Sequence, residues 1–431
     1  MSQASTFDVI VVGAGLAGLA AAYTMAREGL EVLVLERGEY PGSKNVTGGR
    51  LYLNPIRDMF PDLWAKAPLE RHIAHEEVCL LDTEGAVTVR YDGAELGTQP
   101  YQSYSILRAK FDKWLGKQAE RQGAMIVTKS RVDEVLFENG AVVGMRAGGE
   151  ELRTNVVIAA DGVLSFIAEK AGLREPFKAH DFAVGLKEII ELPRETLEAR
   201  FNLQGDEGVA RLYMGDVTKG KFGGGFLYTN KESISLGIVA GIEALNEAPS
   251  TIAASQMLEE FKLRPEVARL IAGGETAEYS AHVIPEGGLH AFGKFFGSGI
   301  LVAGDAAGFS MNIGVTVRGM EYALASGYLA AQAVIRAKQK EDYSAAALSE
   351  YERLLKESFV MKDFENFKDS LHALENPRLF TYYPRLAGDV MRDLYEIPAG
   401  PKARIFPTIR KYFSVGELWG MGRDMWRLMK I

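Results

Sequence analysis

A short glycine-rich motif near the amino terminus constrains the fold more than any other feature of the sequence. The motif GAGLAG, residues 13–18, directly follows a β-branched run, Asp8–Val12, and opens an alanine-rich segment, Leu19–Glu28. A second apolar run, Glu31–Glu36, ends on a carboxylate. This order predicts a strand, a tight glycine turn, a helix and a second strand, which together form a βαβ unit.

A βαβ unit of this kind binds dinucleotides. The amino terminus of its helix faces the diphosphate, and the acidic residue that ends the second strand accepts hydrogen bonds from the ribose. We therefore expect a Rossmann-type domain at the start of the chain. Its expected cofactor contacts come from Gly13, Gly15, Leu16, Ala17, Gly18, Glu36 and Arg37.

A second motif, far along the chain, selects the cofactor. The segment ILVAGDAAG, residues 300–308, resembles the second FAD fingerprint of the glutathione-reductase-like flavoproteins. In that superfamily the aspartate at the strand end, here Asp305, hydrogen-bonds the ribityl chain. The resemblance implies one FAD, bound non-covalently. No second GxGxxG motif is present, so we expect electrons to come from a partner or a transient donor.

Further cofactor contacts are expected around these two motifs. Asp161 and Gly162 follow a buried run, and Arg108 lies in a helix predicted around Ile106–Gln122, as in the hydroxylase-like branch of that superfamily. A helix predicted over Val317–Lys338 would begin beside Gly314 and turn its partial positive charge toward the flavin. The remaining expected cofactor contacts are therefore Arg108, Val132, Asp161, Gly162, Gly304, Asp305 and Gly314.

Alternating strands with glycine-rich joints occupy the chain between about residues 178 and 285, among them Gly223–Thr229. A further short strand, Ala141–Ala147, is predicted before this region. The predicted class is α/β: a Rossmann-type FAD domain with an inserted antiparallel β-sheet substrate domain and a helical C-terminal region. The predicted ranges are 1–75, 100–177 and 286–343 for the FAD domain, 76–99 and 178–285 for the quinone or substrate domain, and 344–431 for the helical region that contacts a partner or membrane.

Composition excludes several other functions. The net charge of −8 over 431 residues gives no positive field for nucleic acid. Cys79 is the one cysteine, so the chain should hold no disulfide and no iron–sulfur cluster, which needs about four thiolates. The six histidines are scattered, and we expect no metal site. No catalytic acid, base or nucleophile can be identified from the sequence.

The ends of the chain bear on its location. No run approaches the roughly 18 apolar residues of a membrane-spanning helix, and the start lacks the pattern of a signal peptide. We therefore expect a cytoplasmic protein. Residues 401–431 carry seven Lys and Arg against two acids, interleaved with aromatic residues. This tail suits an interface with anionic lipid, but it suits docking on the protein itself or on an acidic partner equally well.

Several longer blocks coincide with one family. They are GSKNVTGGRLY at 42–52, GGGFLYTN at 223–230, IPEGG at 284–288, TVRGM at 316–320 and ENPRLF at 375–380. On these blocks the chain resembles the FixC family, which is related to electron-transfer flavoprotein:quinone oxidoreductases, over nearly its whole length. The resemblance implies that Gly48 and Gly49 lie near the isoalloxazine ring, where the absence of a side chain lets the backbone approach.

The resemblance also implies partners. Larger quinone oxidoreductases of this kind carry a four-cysteine cluster, which this chain lacks, so a separate ferredoxin-like iron–sulfur subunit would supply it. The alpha and beta subunits of an electron-transfer flavoprotein would deliver electrons, within a bifurcating complex. A membrane quinone would accept them, which implies peripheral attachment to the cytoplasmic face of the membrane.

Two other functions stay open at this stage. Geranylgeranyl-type reductases share much of the expected fold, so the chain could be a flavin-dependent reductase of prenyl double bonds. Alternatively, it could be a non-enzymatic subunit that docks an electron-transfer complex to the membrane.

Overall fold

The computed structural model describes residues 6–45, 49–247 and 252–431. The strands of this part of the chain are β1 Thr6–Val12, β2 Val32–Leu35, β3 Gly49–Tyr52, β4 Leu69–Leu81, β5 Ala86–Tyr91, β6 Ser103–Ile106, β7 Met125–Val127, β8 Val132–Glu138, β9 Ala141–Ala147, β10 Glu150–Ala159, β11 Phe182–Glu191, β12 Glu207–Gly215, β13 Gly223–Thr229, β14 Ser233–Gly241, β15 Glu275–Pro285, β16 Phe296–Gly297, β17 Ile300–Val302, β18 Met311–Asn312 and β19 Val317–Arg318.

The α-helices lie between these strands and dominate the carboxyl-terminal quarter. They are α1 Leu16–Arg27, α2 Arg108–Arg121, α3 Phe166–Lys170, α4 Arg194–Phe201, α5 Ile242–Asn246, α6 Ala254–Leu263, α7 Pro265–Ile271, α8 Met320–Lys340, α9 Ala345–Leu348, α10 Glu350–Glu357, α11 Phe359–Asn366, α12 Ser370–Leu374, α13 Tyr382–Tyr395, α14 Ile405–Arg410 and α15 Val415–Leu428.

The first sheet is the nucleotide-binding one. Its order is β16-β17-β10-β1-β2-β7, with β8 and β9 attached beyond β10. The strands β17, β10, β1, β2 and β7 run parallel. Residues 9–12 and 156–159 are buried apolar side chains, as expected for strands covered on both faces, and α1 and α8 pack together beside them. The predicted Rossmann-type α/β fold is confirmed.

The second sheet has nine strands in the order β15-β11-β14-β13-β12-β4-β6-β3, with β5 paired to β4. Its pairs are antiparallel except for β12 with β4. Helices α6 and α7 cover one face, where Met257, Phe261 and Val267 pack against Leu186 and Leu236. The opposite face is turned toward the first sheet and lines a cavity between the two.

The second sheet takes more of the chain than the predicted ranges assign to it. Strand β4 runs unbroken across the predicted boundary between residues 75 and 76, because its partner β12 pairs with it from Glu207 to Gly215. Strands β3 and β6 also belong to this sheet, although both fall within the ranges predicted for the FAD domain. Alternating apolar residues predict a strand but do not identify its partner.

The helix predicted over Val317–Lys338 begins later than expected. Val317 and Arg318 form β19, which pairs with β18, and α8 begins at Met320 after Gly319. Gly314 has a φ of +85° in the turn of this hairpin, six residues before α8 begins. The prediction was wrong at this point because the β-branched residues Thr316 and Val317 favour extended backbone over a helical start.

The C-terminal region is helical, as predicted. Its last helix, α15, buries Gly420 and Asp424 and exposes most of its apolar side chains. Within the part of the chain that the structure describes, no helix combines the length and apolar character needed to cross a bilayer.

Candidate functional site

A cavity of about 1090 Å³ lies between the two sheets. Most of the predicted cofactor residues line it, namely Gly13, Gly15, Leu16, Ala17, Glu36, Arg37, Gly49, Arg108, Val132, Asp161, Gly162, Gly304, Asp305 and Gly314. Gly18 is buried behind the turn, where a Cβ would meet the Gly13 carbonyl oxygen at 2.0 Å. Gly48 lies outside the described residues. The structure thus brings these segments together, while their contacts with FAD stay predictions.

The glycine turn leaves a helix terminus open to the cavity. Gly13 has a φ of +101°, and a Cβ there would lie 2.3 Å from the Ala160 carbonyl oxygen, so no larger residue fits. Gly15 precedes α1 and provides no side-chain cap, and a Cβ built on it meets nothing closer than 4.0 Å. The first amides of α1 therefore lack a side-chain acceptor, which is the arrangement that a diphosphate requires.

Glu36 and Arg108 are two charged residues of the cavity wall. Glu36 accepts hydrogen bonds from the amides of Ala14 at 2.8 Å and Gly38 at 2.6 Å, so its carboxylate lies across the turn. Arg108 donates from Nε and Nη2 to Asp112, both at 2.8 Å. Burial opposes the charge of Arg108, but Asp112 outweighs burial and raises the pKa of the guanidinium. Arg108 is therefore a fixed cation in the cavity wall.

Asp305 is the carboxylate that the second FAD motif predicts in the cavity. Among the described residues, no donor lies within hydrogen-bonding distance of its carboxylate. Burial raises its pKa, while His282 and Arg108 act in the opposite direction. An acceptor of this kind fits the hydroxyl groups of a ribityl chain. With the open helix terminus, it makes the residues present compatible with FAD.

Asp161 has a different environment from Asp305. Its Oδ1 accepts from Ser165 Oγ at 2.8 Å, and its Oδ2 accepts from the Ile167 amide at 3.2 Å. Both carboxylate oxygens thus hold the turn that begins α3. Gly162, with a φ of +86°, has open space around the position of a Cβ. A cofactor contact by Asp161 stays a prediction, and its turn-forming role is what the structure shows.

The second sheet supplies three ionisable residues that the sequence did not single out. Arg50 is buried and forms a bidentate ion pair with Glu76, with Nη1 and Oε2 2.8 Å apart. Lys187 lines the cavity from β11, and burial lowers its pKa to about 7, with Arg108 acting in the same direction. Glu286 follows β15 and is also buried. A sequence feature could have pointed to each of these residues. Arg50 and Glu286 lie in blocks shared with the family, and Lys187 is a charged residue within an apolar strand.

One end of the cavity is apolar. It is lined by Met214, Phe222, Leu374 and Phe380, which we call the apolar end. The rings of Phe222 and Phe380 meet edge to face at 5.9 Å. Leu374 and Phe380 also belong to a cluster that includes Leu428 and Ile431, at the carboxyl terminus of the chain. The cavity therefore extends from the open terminus of α1 to a wall that the last helix supports.

The described part of the chain contains no candidate metal site. Over residues 6–45, 49–247 and 252–431, no group of three or more His, Cys, Asp and Glu side chains could hold a metal ion. Cys79 is buried, and its Sγ accepts a hydrogen bond from Thr88 Oγ1 at 3.2 Å. The expectation that this chain carries no iron–sulfur cluster stays a prediction.

Comparison with known families gives two matches. The model for FAD dependent oxidoreductases matches residues 8–173, and the model for the ETF-QO/FixC family C-terminal domain matches residues 370–431. Protein FixC of Salmonella typhi is 48% identical over 391 residues, 91% of each chain. Protein FixC of Azorhizobium caulinodans is 41% identical over 434 residues, 98% of each chain. A probable electron transfer flavoprotein-quinone oxidoreductase, YdiS of Escherichia coli, is 45% identical over 92% of each.

Solved structures resemble this fold at lower identity. A geranylgeranyl bacteriochlorophyll reductase-like protein from Thermoplasma acidophilum superposes with a TM-score of 0.71 at 23% identity, covering 95% of this chain and 97% of its own. The myxobacterial halogenase CndH superposes with a TM-score of 0.65 at 20% identity, covering 90% of each chain. These likenesses support the fold and carry no information about the substrate.

Proposed function

This chain belongs to the FixC family of FAD-dependent oxidoreductases, and from that premise we propose that it passes electrons from an electron-transfer flavoprotein to a membrane quinone. The predicted family, the FAD cofactor and the oxidoreductase class are thereby confirmed. The single observation that carries the proposal is the continuity between the FAD cavity and the last helix. That helix turns an apolar face outward.

Bound FAD supplies chemistry that accepts and releases electrons. The chain's own residues hold it: the open terminus of α1 receives the diphosphate, while Glu36 and Asp305 accept hydrogen bonds from its hydroxyl groups. Gly49 lines the cavity and contributes no side chain to its wall. Residues of both sheets line the site.

The apolar end of the cavity suits a quinone. Its lining of Met214, Phe222, Leu374 and Phe380 offers a hydrophobic wall, as expected for the binding site of an apolar ring. The same cluster contacts Leu428 and Ile431, so the apolar end lies directly behind the C-terminal segment. A lipid-soluble substrate would reach it from the side of the molecule that carries α15.

The outer surface of α15 suits the membrane. Trp419 is 70% exposed and Trp426 is 58% exposed, and the exposed set also includes Val415, Leu418, Met425 and Met429. Arg423, Arg427 and Lys430 lie among them, and the Lys430 ammonium lies 4.2 Å from the centre of the Trp426 ring. Exposed apolar side chains interspersed with cationic ones favour binding to the surface of an anionic bilayer. Because these side chains are exposed, docking of the tail on its own protein does not account for them.

The finer parts of the proposal rest on the family. We infer that the alpha and beta subunits of the electron-transfer flavoprotein deliver the electrons, and that a ferredoxin-like iron–sulfur subunit takes part in a bifurcating complex. The membrane contact would be peripheral, on the cytoplasmic face. Cys79, the one cysteine of the chain, is buried, which supports the need for a separate carrier of any cluster.

Reconstitution tests the proposal. The FAD-loaded chain is mixed with the electron-transfer flavoprotein, the ferredoxin-like subunit with a low-potential electron acceptor, NADH and vesicles that contain a quinone. Quinol formation is followed with each component omitted in turn. We expect quinol only when all are present. No quinol from the complete mixture would contradict the proposal, provided that the chain carries FAD.

The same mixture separates the alternatives. A prenyl reductase would saturate the double bonds of an added prenyl lipid, an activity for which the chain has support at the level of fold alone. A non-enzymatic dock would keep full activity of the complex after FAD is replaced by a redox-inactive analogue. We expect neither result, because the proposed electron path passes through this chain.

A further inference from the structure

Glu286 is a buried carboxyl group in the cavity wall for which the proposed function has given no role. It follows β15 within the block IPEGG, is 8% exposed and lines the cavity. Its backbone amide donates to the Asp181 carbonyl oxygen at 2.8 Å, and the Gly287 amide donates to the same oxygen at 3.1 Å. The backbone on both sides is therefore anchored, which fixes where the carboxyl group lies.

Asn312 contacts this carboxyl group from the neighbouring hairpin. The Oδ1 atom of Asn312 accepts from the Gly314 amide at 2.9 Å, which leaves its Nδ2 as the donor. That donor hydrogen-bonds the Glu286 carboxylate. Asn312 thus stabilises the ionised form of Glu286, so the carboxylate keeps a hydrogen-bond donor after it loses its proton.

The charged side chains on the elements around Glu286 are engaged with other partners. His180 pairs with Glu243 and Glu375, and Arg318 pairs with Glu321 and Asp363. Asp181 acts on Arg174. Burial raises the pKa of Glu286 to about 7, against the hydrogen bond from Asn312, which lowers it. Glu286 is therefore protonated over much of the neutral range.

Glu286 lies where the polar and apolar parts of the cavity meet. Its partner Asn312 holds the Gly314 turn, and a Cβ built on Gly314 would lie 3.1 Å from Leu374 Cδ2. Leu374 belongs to the apolar end, together with Phe380. A quinone ring bound against these side chains would thus lie beside a carboxyl group that can donate a proton.

We propose that Glu286 is the catalytic acid of quinone reduction, an inference that rests on the proposed function. Conversion of a quinone into a quinol consumes two electrons and two protons. Bound FAD in its reduced form would supply both electrons and would release its own N–H proton to water. The O–H bond of Glu286 breaks as an O–H bond forms on one quinone oxygen, and water gives the second proton. The carboxylate, held by Asn312, then regains its proton from water.

The variant Glu286→Gln tests this role because glutamine keeps the shape but has no acidic proton. The rate at which the reduced, FAD-loaded protein reduces an added acceptor is measured with two acceptors. A quinone takes up protons when it is reduced, whereas ferricyanide takes up an electron and no proton. At pH 6 we expect the ratio of the quinone rate to the ferricyanide rate to fall about 100-fold, the usual contribution of a general acid. The wild-type quinone rate should decline as the pH rises through about 7, and this decline should be absent in the variant.

Glu375→Gln is the matched control. Glu375 follows Leu374 in sequence, is partly exposed and is not among the residues that line the cavity. We expect this variant to keep the wild-type ratio and the wild-type pH profile. An equal loss in both variants would overturn the proposal, since it would report disturbance of the local fold rather than loss of an acid.

Infrared spectroscopy gives a readout that does not depend on turnover. The difference spectrum between the wild-type FAD-loaded protein and Glu286→Gln should show a neutral carboxyl band at pH 6 that disappears as the pH rises through about 7. If the glutamine variant fails to fold, Glu286→Asp replaces it and should retain the pH-dependent decline with a lower rate.

The possible outcomes distinguish failure of the role of Glu286 from failure of the proposed quinone reduction. Quinone reduction by the wild type with an unchanged ratio in Glu286→Gln overturns the role of Glu286 and leaves the proposed function standing. A wild-type chain that reduces ferricyanide but no quinone removes both.

Discussion

Arg378 and Asp424 join the last helix to the body of the protein through an ion pair whose carboxylate is buried. Arg378 Nε donates to Asp424 Oδ2 at 2.7 Å, and the side chain of Asp424 is 1% exposed. Tyr383 donates its hydroxyl proton to the same oxygen at 2.8 Å. The inward face of α15 is thus anchored by a polar contact, which leaves its apolar residues to face outward.

Removing the charge of Asp424 should release α15. Asp424→Asn removes the charge that Arg378 and Tyr383 contact and leaves Arg378 only the longer contact with Glu417, so we expect the docked helix to lose about 1–3 kcal/mol of stability. Hydrogen exchange over residues 415–428 would report this as faster exchange, with the sheets unaffected. Glu417→Gln is the control, since its Oε2 lies 3.5 Å from Arg378 and its side chain is partly exposed, so a smaller change is expected.

The same contact sets a pH dependence. Burial opposes the ionisation of Asp424, but the hydrogen bonds from Tyr383 and Arg378 outweigh burial and lower its pKa. A carboxylate with a lowered pKa stabilises the folded state above its unfolded value and loses that contribution as the pH falls. Exchange over α15 in the wild type should therefore rise below about pH 3.8, the ordinary value for the group. Asp424→Asn should lack this rise.

Vesicle binding should depend on the aromatic residues of α15. Replacing Trp419 and Trp426 with serine removes two large apolar side chains, each of which contributes about 1.5–3 kcal/mol when it leaves water. We expect binding to anionic vesicles, measured by co-sedimentation, to weaken at least about 10-fold, and wild-type binding to weaken with added salt. Phe137→Ser, an exposed aromatic on β8, should bind as the wild type does. Unchanged binding in the double variant would instead favour a protein partner for this surface.

Two glycines of the first motif should respond differently to alanine. Gly13→Ala places a Cβ 2.3 Å from the Ala160 oxygen at a positive φ and should destabilise the FAD-free protein by about 1–3 kcal/mol or more. Gly15 has a φ of −85° and open space, so Gly15→Ala should change the unfolding free energy by less than about 0.5 kcal/mol. Its methyl group would project where the diphosphate is expected and should raise the Kd for FAD at least about 10-fold, a loss of about 1.4 kcal/mol.

Denaturation and flavin-fluorescence titration measure the two quantities separately. Wild-type FAD affinity in Gly15→Ala would mean that the diphosphate does not contact the start of α1.

Glu286 should make the stability of the protein pH-dependent. Its pKa is about 7 in the folded state against 4.5 for the free group, so its contribution is fully present below pH 4.5 and is lost as the pH rises to about 7. This shift corresponds to about 3 kcal/mol. Glu286→Gln should therefore gain stability relative to the wild type between pH 5 and pH 8. Chemical denaturation of both proteins at pH 5 and pH 8 checks this. If the difference in unfolding free energy between the variant and the wild type is the same at both pH values, the pKa of Glu286 is not raised.

Local sequence determined the N-terminal βαβ unit, the bounds of several strands and the family of this protein. The order strand, glycine turn, helix and strand followed from residues 8–36, and β9 and β13 have the bounds that their patterns predict. These features depend on backbone preferences and on the periodicity of neighbouring side chains, which a sequence displays directly. The family blocks identified FixC for the same reason, since each is a continuous run of residues.

Tertiary structure decided what depends on distant contacts. The placement of β3, β4 and β6 in the second sheet, the ion pair of Arg50 with Glu76, and the outward face of α15 all arise from residues far apart in the chain. The burial that raises the pKa of Glu286 is of the same kind, because desolvation is set by whatever packs around a carboxyl group. The sequence specifies these contacts, but which residues meet, and how deeply a side chain is buried, can be seen only in the folded chain.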